Sequence, residues 1–146
     1  MPDINTIGTT LACVVGAPST FNSAGYAALS WTAIVGDLVE LGPWGDTSAD
    51  ITVVKIATGR TVHVNGALDG GEIAFAYSYT VADPGQVILR AQSGLNNDVS
   101  FRRTDNDGQV RYITGRVANV QIKEATVGTI KGEMGVIRSN TGVIVV

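Results

Sequence analysis

The sequence predicts a mainly β fold: a β-sandwich or barrel with one flanking α-helix over about residues 83–93. Val, Ile and Thr are frequent, 18 glycines supply turns, and long runs of helix-forming residues are missing. Residues 72–81 alternate between two kinds of side chain, as in a strand with one buried face. One later segment carries a full set of helix start and stop residues. An order of strands, one helix and further strands favours a sheet that a single helix covers.

The size and polarity of the chain favour one self-associating domain. Its 146 residues fit a single domain, predicted here as 1–146. Hydrophobic residues make up 45% and charged residues only 16%, which is apolar for a soluble monomer and predicts a large surface buried between subunits. No apolar run approaches the roughly 20 residues that cross a bilayer, and the start lacks a signal-peptide pattern. We therefore expect no membrane span.

The first third of the chain predicts an arm, two strands and a short helix. Residues 1–9 are polar and without a period, which is typical of an N-terminal arm that becomes ordered against a neighbour. Residues 11–15 form an apolar extended run. Residues 22–29 begin with Asn22, a good N-cap, and continue with helix formers, so they predict a turn or two of helix. Residues 31–41 predict a strand with an irregularity near its middle.

The middle of the chain predicts a long loop followed by three strands. Residues 42–50 are dense in turn-forming residues and predict the longest loop. Strands are predicted over 51–57, 61–64 and 72–81. The last of these has a bulky face and a small or polar face: Ile73, Phe75, Tyr77, Tyr79 and Val81 against Glu72, Ala74, Ala76, Ser78 and Thr80.

The helix prediction rests on its end residues. Asp83 is the expected N-cap, Pro84 occupies the first helical position, Gln86 completes a capping box and Gly94 ends the helix. The helix is expected to lie on the sheet, because its apolar residues fall on one stripe: Val87, Ile88, Ala91 and Leu95.

The remaining third predicts strands only. Residues 98–103 and 109–123 are expected to pair through a hairpin loop at 104–108, whose glycine suits a positive φ. Residues 127–138 and 141–146 complete the predicted set of strands.

The residues offer no catalytic, cofactor or metal site. Cys13 and His63 are the only cysteine and histidine, which excludes a disulfide framework and a Cys/His zinc cluster. Cys13 lies in an apolar run and His63 in an alternating strand, so we expect a buried thiol and a solvated imidazole. Asp105 and Asp107 resemble the start of a calcium loop, but Gly108 comes two positions too early and no glutamate stands six positions after it. A polar hairpin tip is the favoured interpretation, and we expect a protein that is not an enzyme.

Charge also argues against a nucleic-acid reader. The net charge is −3, and the arginines at 102, 103, 111 and 116 differ in strand parity, so they form no single basic stripe.

A succession of segments along nearly the whole chain resembles the major tail tube proteins of long, non-contractile-tailed phages and related gene transfer agents. The segments are Thr9-Thr10-Leu11, Ala17-Pro18, Tyr26-Ala27-Ala28-Leu29, Ala57-Thr58-Gly59-Arg60-Thr61, Gly66-Ala67-Leu68-Asp69-Gly70-Gly71, Ala82-Asp83-Pro84-Gly85-Gln86, Leu89-Arg90-Ala91, and Val99-Ser100-Phe101 before Gly108. No single motif is specific; the order of the motifs carries the resemblance.

The resemblance implies a structural subunit of a virion tail. Such proteins are similar in fold to the tube subunits of contractile tails and type VI secretion. They close into hexameric rings, and the rings stack into a hollow tube through which DNA passes without specific binding. The implied partners are further copies of the chain, a tape measure protein and tail tip or terminator proteins. The implied location is the virion tail, after assembly in the host cytoplasm.

Two surfaces are predicted for this role. The loop 42–50 is expected to mediate stacking between rings through Pro43, Trp44, Asp46, Thr47 and Ser48, because a tryptophan on a constrained loop is a typical interface anchor. In the alternative, Trp44 folds back onto its own core. The lumen wall is predicted on the small face of the strand 72–81, at Glu72, Ala74, Ala76, Ser78 and Thr80, with residues 111–123 as the alternative.

Other functions remain open at this point. Another self-assembling β-rich virion or fibre subunit, such as a capsid decoration protein or a pilus-like subunit, would share these properties. A carbohydrate-binding module is less favoured, because Trp31 and Trp44 are the only candidate sugar-stacking residues and neither has a second aromatic two positions away.

Overall fold

The computed structural model describes residues 7–146. Its elements are β1 (Thr10–Val15), α1 (Ser23–Ala27), β2 (Leu38–Leu41), β3 (Thr47–Lys55), β4 (Arg60–Asp69), β5 (Glu72–Ser78), α2 (Pro84–Gln92), β6 (Val99–Thr104), β7 (Val110–Ile122), β8 (Gly132–Ser139) and β9 (Ile144–Val145). The predicted mainly β class with a flanking helix is confirmed. The predicted arm 1–9 lies outside the described residues except for positions 7–9.

One antiparallel sheet holds most of the strands, in the order β1-β6-β7-β8-β5-β2, with β9 paired to β7. The strands at both ends of this order contribute to the same hydrophobic core, so the sheet curls around it. Of the two predicted architectures, this arrangement is the barrel-like one. The fully buried core side chains include Leu11, Cys13, Ile73, Phe75, Tyr77, Leu89, Val99, Phe101, Ile113, Val117 and Ile137.

Helix α2 begins as predicted but buries a different face. The Asp83 side chain accepts hydrogen bonds from the amides of Gly85 and Gln86 at 3.1 Å. The buried residues are Gly85, Gln86 and Leu89, whereas Val87 and Leu95 of the predicted stripe are each 46% exposed. The predicted position of the helix on the sheet is confirmed, since α2 contacts β1 and β7, but of the predicted stripe only Ile88 packs against the core.

Close backbone approach and a polar anchor decide which face of α2 is buried. A Cβ at Gly85 would overlap the backbone of Ile34 and Val35. The Gln86 side-chain amide donates to the carbonyls of Gly36 and Ser78, both at 2.9 Å. The predicted capping box does not form, because the Gln86 Oε1 accepts from the Thr80 amide at 2.8 Å instead.

The same anchor ends β5 earlier than predicted. The strand stops at Ser78, and Thr80 is drawn towards α2 by Gln86. Tyr79 leaves the core face and lies between two cations: the Arg90 guanidinium is 5.1 Å from its ring centroid and the Lys131 ammonium 4.2 Å. Val81 is 68% exposed. The predicted strand 72–81 is thus correct only for its first seven residues.

Helix α1 begins at the predicted cap and covers part of the outer face of the sheet. Asn22 accepts from the Gly25 amide at 2.8 Å. Tyr26 is fully buried, stacks on Tyr112 at 5.0 Å between ring centroids, and forms a 2.8 Å hydrogen bond with the Thr114 hydroxyl. The part of this face formed by β5, β8 and the end of β7 has no such cover in the described residues.

The predicted strand 31–41 forms only over its last four residues. Upstream of them, Val35 donates to the Leu11 carbonyl at 2.8 Å and Cys13 donates to the Ala33 carbonyl at 3.0 Å. This segment therefore covers the outer edge of β1. The chain turns at Asp37, whose φ of 55° breaks the extended conformation.

Two late strands are also shorter than predicted. The strand 127–138 begins only at Gly132, because Thr129 closes a turn by donating to the Thr126 carbonyl at 2.7 Å. The strand 141–146 is reduced to Ile144–Val145. The predicted hairpin between β6 and β7 is confirmed, with Gly108 at a φ of 88°.

Candidate functional site

The most unusual region is the hairpin of β3 and β4, which forms a separate two-stranded sheet. Both strands are longer than predicted, and they pair from Thr47↔Asp69 to Lys55↔Arg60. The chain reverses over 56–59, where the Gly59 amide donates to the Lys55 carbonyl at 2.7 Å. Neither strand pairs with the main sheet.

No residue of this hairpin is buried. One face carries two aliphatic cross-strand pairs, Ile51↔Val64 and Val53↔Val62. We call these four residues the hairpin apolar face. Their exposed fractions run from 37% to 52%, so large apolar side chains that would normally be covered lie open. Contiguous exposed apolar surface of this kind marks an interaction site.

The opposite face of the hairpin carries its only histidine. His63 Nδ1 lies 2.9 Å from Asp50 Oδ2, and both side chains are more than half exposed. The predicted solvated imidazole is therefore confirmed. Within residues 7–146 no group of three potential metal-ligating side chains comes together.

The predicted stacking loop is shorter than 42–50. Thr47 and Ser48 belong to β3, so the loop itself ends at Asp46. Trp44 is half-buried and packs against the core of its own subunit. This is the position that the alternative for the tryptophan describes. Pro43 and Asp46 are exposed.

The predicted lumen residues divide into three groups. Glu72 and Ala74 are exposed on the outer face of β5, as predicted. Ala76 is only 4% exposed, since it lies between Glu40 of β2 and Met134 of β8, whose longer side chains flank it. Ser78 is half-buried, and Thr80 lies beyond the strand.

The alternative wall on β7 turns out to share a face with the β5 wall. Through β8, the register aligns Asn119 with Val136 and Ala74 in one row. A second row aligns Gln121 with Met134 and Ala76. We call these six residues the uncovered sheet face: Ala74, Ala76, Asn119, Gln121, Met134 and Val136. A shallow recess of about 220 Å³ runs across it.

The remaining candidate groups are structural. Burial and then the charge of Asp83 raise the pKa of the Cys13 thiol to about 12, so the thiol is inert, as predicted. Asp105 forms ion pairs with Arg103, at 2.9 Å from its Nε, and with Arg111. Burial alone would raise the pKa of Asp105, but hydrogen bonds from the two arginines hold it below its usual value.

A buried ion pair fastens α2 to the sheet. Arg90 Nη1 lies 2.8 Å from Glu133 Oε1, and the glutamate side chain is 6% exposed. Burial and then the negative charge of Glu133 raise the pKa of Tyr77. Neither helix in the described part of the chain has the length and hydrophobicity that a membrane-spanning helix requires.

Comparisons with known proteins connect this geometry to tail tubes through fold alone. No family model and no curated protein sequence matches the chain. A solved structure of the sheath/tube terminator of the extracellular contractile injection system PVC aligns with a TM-score of 0.67 and 10% identity, covering 100% of this chain and 98% of that chain.

Two further structures give the same result. The tube terminating cap of the anti-feeding prophage aligns with a TM-score of 0.65 and 11% identity, over 100% of this chain and 92% of that one. The SPP1 tail tube aligns with a TM-score of 0.62 and 12% identity, over 93% and 76%. The chain therefore has a tail-tube-like fold, shared with components of contractile injection systems as well as with a phage tail tube.

Proposed function

We propose that this chain is the structural subunit of a phage-type tail tube, a single tail tube domain that assembles as hexameric rings stacked into a hollow conduit for DNA. The hairpin apolar face carries this proposal, because it is a large exposed apolar surface on a subunit with an otherwise closed core. The tail-tube-like fold supports it. The role is structural rather than enzymatic.

Assembly would bury the hairpin apolar face, which is exposed in the single subunit. Burying a Val or Ile side chain contributes roughly 1.5–3 kcal/mol, so covering Ile51, Val53, Val62 and Val64 would stabilise an assembly substantially. A protruding hairpin meets a different surface on the neighbouring copy. Such head-to-tail contacts generate rings when they close and filaments when they do not.

The uncovered sheet face is proposed as the lumen wall, with Glu72 and Ser78 beside its six residues. None of its six side chains is charged, so a polyanion can slide past it. Thr80, which lies beyond the end of β5, is proposed to border this wall. Pro43, Asp46, Thr47 and Ser48 are proposed to contact the next ring, while Trp44 holds their loop against the core.

The proposed partners and location follow from the same role. Copies of the chain contact one another, and a tape measure protein and tail tip or terminator proteins are the further partners. DNA passes through without specific binding. The location is the virion tail, after assembly in the host cytoplasm.

Negative-stain electron microscopy of the purified protein tests the proposal. We expect hollow tubes with six-fold rings from the unaltered chain. Val53→Ser with Val62→Ser should leave a folded subunit that forms no tubes, whereas Val127→Ser, a fully exposed loop valine, should still assemble. Solid fibres or isolated trimers from the unaltered chain would reject the tube and favour a pilus-like or decoration subunit.

A further inference from the structure

A row of four charged residues crosses the sheet at one end of the uncovered face. Glu72 of β5 pairs in register with Arg138 of β8, which pairs with Arg116 of β7. Val99 pairs with Gly115, so Asp98 comes next to Arg116. We call Glu72, Arg138, Arg116 and Asp98 the charged row.

Each arginine of the charged row has one carboxylate. Arg138 Nε lies 3.1 Å from Glu72 Oε1, and Arg116 Nε lies 3.9 Å from Asp98 Oδ1. The four side chains are between 47% and 65% exposed. Like charges on directly paired residues destabilise a sheet, so two adjacent arginines depend on the flanking carboxylates for neutrality.

The two arginines also line one recess. It has a volume of about 190 Å³ and includes Asn96 and Asn140 in its wall. Within residues 7–146, neither Arg116 nor Arg138 forms a hydrogen bond through its terminal guanidinium nitrogens. Guanidinium groups bind phosphate through pairs of such nitrogens. Without the two carboxylates, both guanidinium groups in this recess would have all their nitrogens available for an anion.

We propose that Glu72 and Asp98 are masking residues, which neutralise Arg138 and Arg116 so that this face does not retain polyanions. The masking belongs to the subunit and does not require assembly. Its consequence for the tube rests on the proposed function: a ring of unmasked arginines beside the wall would hold passing DNA by its phosphates.

Binding of a short fluorescent single-stranded DNA oligonucleotide to the purified protein tests this proposal. Fluorescence anisotropy is measured between about 50 and 200 mM NaCl. We expect no binding by the unaltered chain and salt-dependent binding by Glu72→Gln with Asp98→Asn. For two unmasked arginines the slope of log K against log salt in this variant should be about −1.4, at about 0.7 per phosphate contact.

Two controls separate masking from net charge. Glu124→Gln with Asp107→Asn changes the net charge equally at exposed positions away from the charged row, and should not bind. Adding Arg116→Gln and Arg138→Gln to the unmasked variant should abolish its binding. Binding by the unaltered chain equal to that of the unmasked variant, or an equal gain in the Glu124/Asp107 control, would overturn the proposal.

The two proposals fail separately. Oligonucleotide binding by the unmasked variant without tubes from the unaltered chain would support masking and reject the tube. Tubes from the unaltered chain, without oligonucleotide binding by the unmasked variant, would support the tube and reject masking.

Discussion

Two cross-strand pairs of aliphatic residues differ in burial. Ile73↔Ile137 joins β5 to β8 and is 2% and 0% exposed, whereas Ile51↔Val64 joins β3 to β4 and is 51% and 52% exposed. Both pairs are antiparallel. The first faces a core that includes Leu89 of α2; the second lies half exposed on the separate two-stranded sheet. Strand pairing alone does not bury a side chain, because burial requires a second layer.

The contrast indicates different roles for the two regions. The curled sheet supplies the stability of the subunit. An isolated two-stranded hairpin is marginally stable in water, so the proposed assembly would supply the β3–β4 hairpin with a cover from a second copy. The proposed interface therefore lies in a region whose strands bury no residue.

The largest expected effect comes from Phe75, a core residue of β5 that is 1% exposed. Phe75→Ala should lower the free energy of unfolding by about 3–5 kcal/mol, because it leaves a cavity. Urea denaturation of the unassembled subunit measures this. Val53→Ala in the hairpin is the matched comparison and should cost less than about 0.5 kcal/mol. Equal losses would contradict the division between a core region and an interface region.

An intermediate effect is expected at the buried ion pair. Glu133→Ala should lower the free energy of unfolding by about 1–3 kcal/mol, since it leaves Arg90 without its carboxylate partner. Thermal denaturation of the subunit measures the loss. Glu72→Ala breaks an exposed pair with Arg138 and should cost no more than about 1 kcal/mol. The reverse order would show that α2 is not fastened through Glu133.

A smaller, pH-dependent effect is expected at Asp105. Its pKa is lowered in the folded protein, so its contribution is full above the usual aspartate pKa and is lost as the pH falls through the lower folded value. Asp105→Asn should cost about 1 kcal/mol near neutral pH and progressively less in acid. Denaturation at a series of pH values measures this. If Asp105→Asn lowers the free energy of unfolding equally in acid and at neutral pH, the ionised Asp105 does not stabilise the fold as described.

The smallest free energy is expected for local opening of the hairpin. Amide hydrogen exchange measures this opening and so compares the two regions directly. Amides of residues 51–64 should exchange with an opening free energy near zero in the free subunit, while those of 73–77 approach the global value. Hydrogen–deuterium exchange before and after assembly measures both. Protection of 51–64 in the free subunit would mean that the hairpin is already covered.

Much of the candidate site could be predicted from the sequence, and particular residues show where such prediction stops. The outward placement of Glu72 and Ala74 followed from alternation. The burial of Ala76 did not, because it depends on Glu40 and Met134 in neighbouring strands. The aliphatic alternation at 51–54 and 62–64 was visible and predicted strands. Nothing local could show that no layer covers them.

The sequence by itself determined the local features of this protein: the alternation of Ile73, Phe75 and Tyr77, and the helix start at Asp83 and Pro84. These depend on neighbours in the chain, whose geometry a short segment fixes. Only the tertiary structure decided which face of α2 is buried, where β5 ends and that the hairpin leaves the core. Those outcomes depend on contacts such as that of Gln86 with Gly36, fifty residues apart, where close packing and a buried hydrogen bond outweigh the apolar stripe.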